Sequence, residues 1–86
     1  MYKQQTVVKC DSGLYNEQVT YFVQKANEFR CSIWLEYGSK RMNAKSLLGI
    51  MSMCIGTGAS VEVSADGPDE QEAVRALCDM LQRDVA

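Results

Sequence analysis

Apolar residues recur along this chain with two periods, and each period predicts a different kind of element. From Asn16 to Phe29 the positions Val19, Phe22, Val23, Ala26 and Phe29 fall three and four apart, with Gln18, Gln24, Lys25 and Glu28 between them. This spacing predicts an amphipathic helix that buries one stripe. Asn16 is suited to cap it, and Glu17 in its first turn suits the positive end of the helix dipole. Ala73, Val74, Leu77, Met80 and Leu81 form a second stripe. The run Asp66-Gly67-Pro68-Asp69-Glu70 before it predicts a turn feeding a helix, with Pro68 at the first helical position and acids in the first turn. The period of two is clearest where Ala59, Val61, Val63 and Ala65 alternate with Ser60, Glu62 and Ser64, as in a half-buried strand. Residues 2–10, with Thr6, Val7 and Val8, and residues 31–37, with Ile33, Trp34, Leu35 and Tyr37, are strands by composition. Asp11-Ser12-Gly13 is a turn after the first of them. Gly38-Ser39 separates the second from Lys40-Arg41-Met42-Asn43, and a two-residue Gly-X loop predicts a type II′ hairpin.

A short polar run, Asn43-Ala44-Lys45-Ser46, then opens a compact apolar one, Leu47-Leu48-Gly49-Ile50-Met51. Serine is a preferred N-cap because its hydroxyl accepts from an otherwise orphaned backbone N–H. A short, half-buried helix capped by Ser46 and ending near Gly56-Thr57-Gly58 is the plain reading. A regulated serine beside an exposed apolar docking surface is the sharper one. The element order βαββαβα predicts an α+β fold. It is an open-faced β-sandwich, a four-stranded antiparallel sheet with helices packed on one face, in a single domain over residues 1–86.

Composition narrows the chemistry. With 47% hydrophobic and 23% charged residues the chain is globular rather than disordered. A net charge of -2 without a run of Lys or Arg argues against direct nucleic-acid binding. No apolar run approaches the length of a membrane span, and the polar start Met1-Tyr2-Lys3-Gln4-Gln5 is not a signal peptide, which points to the cytoplasm. Cys10, Cys31, Cys54 and Cys78 lie far apart with no CxxC and beside apolar stretches, so reduced, mostly buried thiols are expected. There is no histidine. That removes Ser-His and Cys-His nucleophile pairs, imidazole bases and histidine metal ligands. The acids Asp66, Asp69, Glu70 and Glu72 read as helix-start electrostatics rather than a metal site, and no cofactor is implied. Trp34 reads as a sheet or rim residue rather than a ligand platform.

In this order, several words of the sequence resemble the HPr family, the small phosphocarriers of the bacterial sugar phosphotransferase system. They are Asp11-Ser12-Gly13-Leu14, Phe22-Val23-Gln24, Leu35-Glu36-Tyr37, Asn43-Ala44-Lys45-Ser46, Gly49-Ile50-Met51-Ser52, Gly58-Ala59, Ala65-Asp66-Gly67 and Asp69-Glu70. They fall in register without a gap. The family's Gly-x-His-Ala-Arg-Pro motif is absent, however, and the same positions read Gly13-Leu14-Tyr15-Asn16-Glu17-Gln18. The resemblance thus implies that Tyr15 stands at the phosphohistidine position and Glu17 at that of the active-site arginine. A phenol with a reference pKa of about 10 is protonated at neutral pH and is a poor phosphoryl relay. Glu17 adds a negative charge, and two like unit charges about 4 Å apart repel by roughly 1–4 kcal/mol. Relay of phosphate, and enzyme activity with it, is therefore not expected.

What the resemblance leaves intact is Ser46. In Gram-positive members of the family the matching serine is phosphorylated by HPr kinase/phosphorylase, and the product binds a catabolite-control repressor. A histidine-less, catabolite-repression branch keeps only that serine. The implied role is a regulatory protein docking through Leu47, Leu48, Met51 and Tyr15, with Ser46 as switch and with Lys40, Arg41 and Lys45 available to compensate its phosphate. Glu17 would weaken or redirect the usual partners. Two alternatives stay open, a constitutive binding module in which Ser46 is only a cap, and an active phosphocarrier.

Overall fold

A computed structural model describes residues 1–9 and 17–83. Among them are seven elements in the predicted order, strands β1 (Tyr2–Val7), β2 (Ser32–Tyr37), β3 (Lys40–Asn43) and β4 (Ser60–Asp66), and helices α1 (Glu17–Asn27), α2 (Leu47–Ser52) and α3 (Glu70–Gln82). The strands form one antiparallel sheet in the order β1-β4-β2-β3. Registry is set by alternation. Val61, Val63 and Ala65 of β4, Ile33 and Leu35 of β2, and Thr6 of β1 face the helices and are buried. The opposite face carries rows that run across the sheet, Lys3–Ser64–Trp34–Asn43 and Gln5–Glu62–Glu36–Arg41. A slip of one residue in β4 would turn three buried apolar side chains to water, which is why its register is unique.

The helical layer closes the core. Val19, Phe22, Val23 and Ala26 of α1 and Ala73, Val74, Leu77, Cys78 and Leu81 of α3 are buried, joined by Ile50 from α2. Helix α1 packs on α3 and α2, and α3 covers β1 and β4. Beyond β1, Val8 stays in the ladder through Val8 N–H to Ala59 O and Gly58 N–H to Val8 O, at 2.9 and 2.7 Å. No helix among the described residues is long and apolar enough to cross a membrane.

Turn chemistry explains the joints. Gly38 has φ +61° while Ser39 has negative φ, the sign pattern of a type II′ turn, and Tyr37 pairs with Lys40 across it. Several expectations need correction. Helix α1 ends at Asn27 rather than Phe29, because the Asn27 amide folds back to donate to Val23 O at 2.9 Å and the last turn tightens into Glu28-to-Lys25 and Phe29-to-Ala26 bonds. Helix α2 stops at Ser52, where Met53 closes it and Cys54 takes φ +51°. Pro68 is not the first helical residue. Asp69 occupies the N-cap position, so Pro68 lies in the turn before it. Cys31 and Cys78 are buried thiols, but Cys54 is exposed. Cys10, the Asp11-Ser12-Gly13 turn and Asn16 lie outside the described residues.

Candidate functional site

The approach to α2 is fixed by local bonds. The Asn43 side-chain oxygen accepts from Lys45 N–H at 2.9 Å, an Asx turn, and Ser46 N–H donates to Asn43 O at 3.0 Å. Ser46 then sits in an extended conformation, φ -101° and ψ 110°, and its Oγ accepts from Gly49 N–H at 3.2 Å. The predicted cap is therefore made. Gly49 gives it room, since a Cβ there would lie 3.2 Å from the Ser46 oxygen. The Ser46 hydroxyl is exposed and acts here only as an acceptor. Replacing Ser46 by Ala should lower stability by about 1 kcal/mol, and by Gly only a few tenths, because Gly leaves the first turn open to water. Urea unfolding of the three proteins measures the difference.

Around this serine, Leu47, Leu48 and Met51 are 40%, 80% and 40% exposed, whereas Ile50 is buried. Leu47 and Met51, four apart, share one face of α2, with Leu48 beside them. The structure thus brings Ser46, Leu47, Leu48 and Met51 together. Sequence reasoning missed Tyr21, an exposed aromatic on α1, the helix packed beside α2. Its position off the stripe of Val19, Phe22, Val23 and Ala26 was the available signal. Glu17 is exposed in the first turn of α1, and Tyr15 lies outside the described residues.

Two of the three cations expected beside Ser46 have other partners in the fold. Lys45 Nζ donates to Phe29 O at 2.6 Å. Arg41 pairs with Glu36 at 3.4 Å and lies over the Trp34 ring, 4.5 Å from its centroid. An anion on Ser46 would meet the backbone N–H groups at the start of α2.

The acidic turn has a structural use. Asp69 accepts from Arg30 N–H at 2.9 Å and Cys31 N–H at 3.0 Å, tying the start of α3 to the start of β2. Glu70 accepts from Gly67 N–H at 3.1 Å and lies 3.2 Å from the N-terminal ammonium. These oxygens are spent on separate donors and do not converge. Burial, reinforced by the Asp69 carboxylate and partly offset by Lys45, pushes the Cys31 thiol up to about 11. Burial alone does the same for Cys78, so both stay protonated and inert near neutral pH.

A sheet of this order, a serine-capped α2 and no histidine define a small, histidine-free phosphocarrier-like domain. The family model described as the PTS HPr component phosphorylation site matches residues 2–83, and the chain belongs to the HPr family. Within it the chain is Crh-like. It is 39% identical over 84 residues to the HPr-like protein Crh of Halalkalibacterium halodurans, spanning 98% of this chain and 100% of that one. Among solved structures, the phosphocarrier HPr of Bacillus anthracis superposes with a TM-score of 0.93 at 38% identity, covering 94% of this chain and 96% of that one. A domain-swapped dimer of Crh from Bacillus subtilis superposes with a TM-score of 0.77 at 40% identity, covering 100% and 99%.

Proposed function

We propose that this chain is an HPr-like regulatory protein of the phosphotransferase system or carbon catabolite control. It acts by docking to other proteins and not as an enzyme or phosphate relay. The observation that carries this reading is the exposed, capping Ser46 beside the exposed Leu47, Leu48 and Met51, in a chain that has no histidine. Tyr15 stands for the phosphohistidine, and Glu17 for the arginine that would hold the phosphoryl group. Tyr15 contributes to the docking surface.

Ser46 is the switch in this reading. A kinase would transfer the γ-phosphoryl group of ATP to Oγ, releasing the hydroxyl proton and ADP. The added charge of about -1.5 to -2 would sit against the α2 N–H groups and change what docks on Leu48 rather than how the chain folds. Its partners are an HPr kinase/phosphorylase and a catabolite-control repressor, with Glu17 weakening or redirecting both.

Incubation with HPr kinase and ATP should label the wild type and not Ser46→Ala, and an unlabelled wild type would leave a constitutive binding module. Enzyme I with phosphoenolpyruvate should transfer no label, and labelling would restore the phosphocarrier reading. Leu48→Ala, at a largely exposed position, should leave stability within about 0.5 kcal/mol of wild type while weakening partner capture.

A further inference from the structure

A cavity of about 160 Å³ opens beside strands β2 and β3, and Ser46 is not among the residues that line it. Arg30, Ser32, Trp34, Asn43 and Lys45 line it, together with buried Cys31 and Ile33, and no carboxylate is among its lining residues. The guanidinium of exposed Arg30 makes no hydrogen bond or ion pair among the described residues. Lys45 spends one of its three donors on Phe29 O and keeps two. Asn43 uses its oxygen on Lys45 N–H, which leaves its amide N–H₂ as a donor. The exposed Ser32 hydroxyl adds a further polar group. Trp34 supplies a flat apolar wall, with Arg41 already stacked on its ring.

The acids nearby are already occupied. Asp69 is turned to the N–H groups of Arg30 and Cys31. Asp66, across the sheet from Ser32, has the N-terminal ammonium 4.0 Å away. Glu36 is held by Arg41. The cavity is therefore rich in uncommitted donors and lined by two cations.

We propose that this cavity binds a small phosphate monoester. A guanidinium fork and an ammonium match the terminal oxygens of a tetrahedral dianion, and the neutral donors complete its hydrogen bonding. The volume admits the phosphate and a few atoms of its ester, which would lie against Trp34. The site is independent of the Ser46 reading, because Ser46 does not line it.

Trp34 is the chain's one tryptophan and lines the cavity, so its fluorescence serves as the probe. The wild-type protein would be titrated with glycerol phosphate and with inorganic phosphate at constant ionic strength. A saturable change is expected, with affinity about tenfold weaker in Arg30→Gln and in Lys45→Gln, since each removes a charge-assisted bond. Lys3→Gln, a surface cation outside the cavity, should bind as the wild type does. Tighter binding of the ester shows that its body is recognised, and equal binding shows that the phosphate group suffices. A response that does not saturate with either ligand, that sodium chloride reproduces, or that survives both variants unchanged would overturn the proposal. Arg30 bonds the fold only through its backbone N–H, so its variant is expected to fold.

Discussion

Gly67→Ala should be among the most damaging single-methyl additions to this chain, lowering stability by about 2–5 kcal/mol. A Cβ at this position would lie 2.6 Å from Cys31 Cβ and 2.7 Å from Cys31 Cα, and the backbone there holds φ +154°. Contacts that short force the β4–α3 turn away from the start of β2, and the turn cannot yield freely because Asp69 and Glu70 both anchor it. Small domains carry only about 5–15 kcal/mol in total, so a substantial share of the stability is at stake. Adding Cys31→Ala should not rescue the variant, because the clashing atoms are the Cβ and Cα that alanine retains. Recovery of the urea midpoint in that double variant would show that the crowding is carried by the thiol instead.

Asp69→Asn should lower the thermal midpoint by several degrees and flatten the acid limb of the stability profile. The wild-type carboxylate accepts two backbone N–H groups on separate oxygens, and an amide has only one oxygen to offer. The N–H of Arg30 first, and then the Cys31 thiol and N–H, hold the Asp69 carboxyl below its usual value. The Gly67 N–H and then the N-terminal ammonium do the same for Glu70. Groups with depressed folded-state values contribute fully above the unfolded value of about 4, and their contribution is lost as pH falls through the folded value. Wild-type stability should therefore decline below about pH 4. Urea midpoints at neutral pH and through the acid range test this. Equal acid slopes for wild type and Asp69→Asn would remove Asp69 from the account.

These two residues also mark where sequence reading stopped. Elements with a local cause were legible, because the stripes of α1 and α3, the alternation of β4, the Gly38 hairpin and the Ser46 cap each depend on neighbours a few positions away. Asp69 looked like a first-turn acid, and Pro68 like the first helical residue. The bonds from Asp69 to residues 38 and 39 positions earlier hold it as the N-cap, two positions later than the expected start implies, and no local pattern announces that. The partners of two cations were hidden for the same reason. Lys45 and Arg41 lie close to Ser46 in sequence, yet the fold hands one to the Phe29 carbonyl and the other to Glu36 and Trp34. The apolar run after Ser46 was visible, but the exposure that separates Leu48 from Ile50 depends on what α2 packs against.

The strand order has a consequence for how the chain is made. Strand β1 hydrogen-bonds in the sheet to β4, and Thr6 and Lys9 bond onward to Gln82 and Leu81 at the far end of α3. On a ribosome adding roughly 5–20 residues per second, the first strand therefore waits some seconds for its partner to be synthesised. Through that interval β1 lacks both the strand it pairs with and the helix that covers it in the fold.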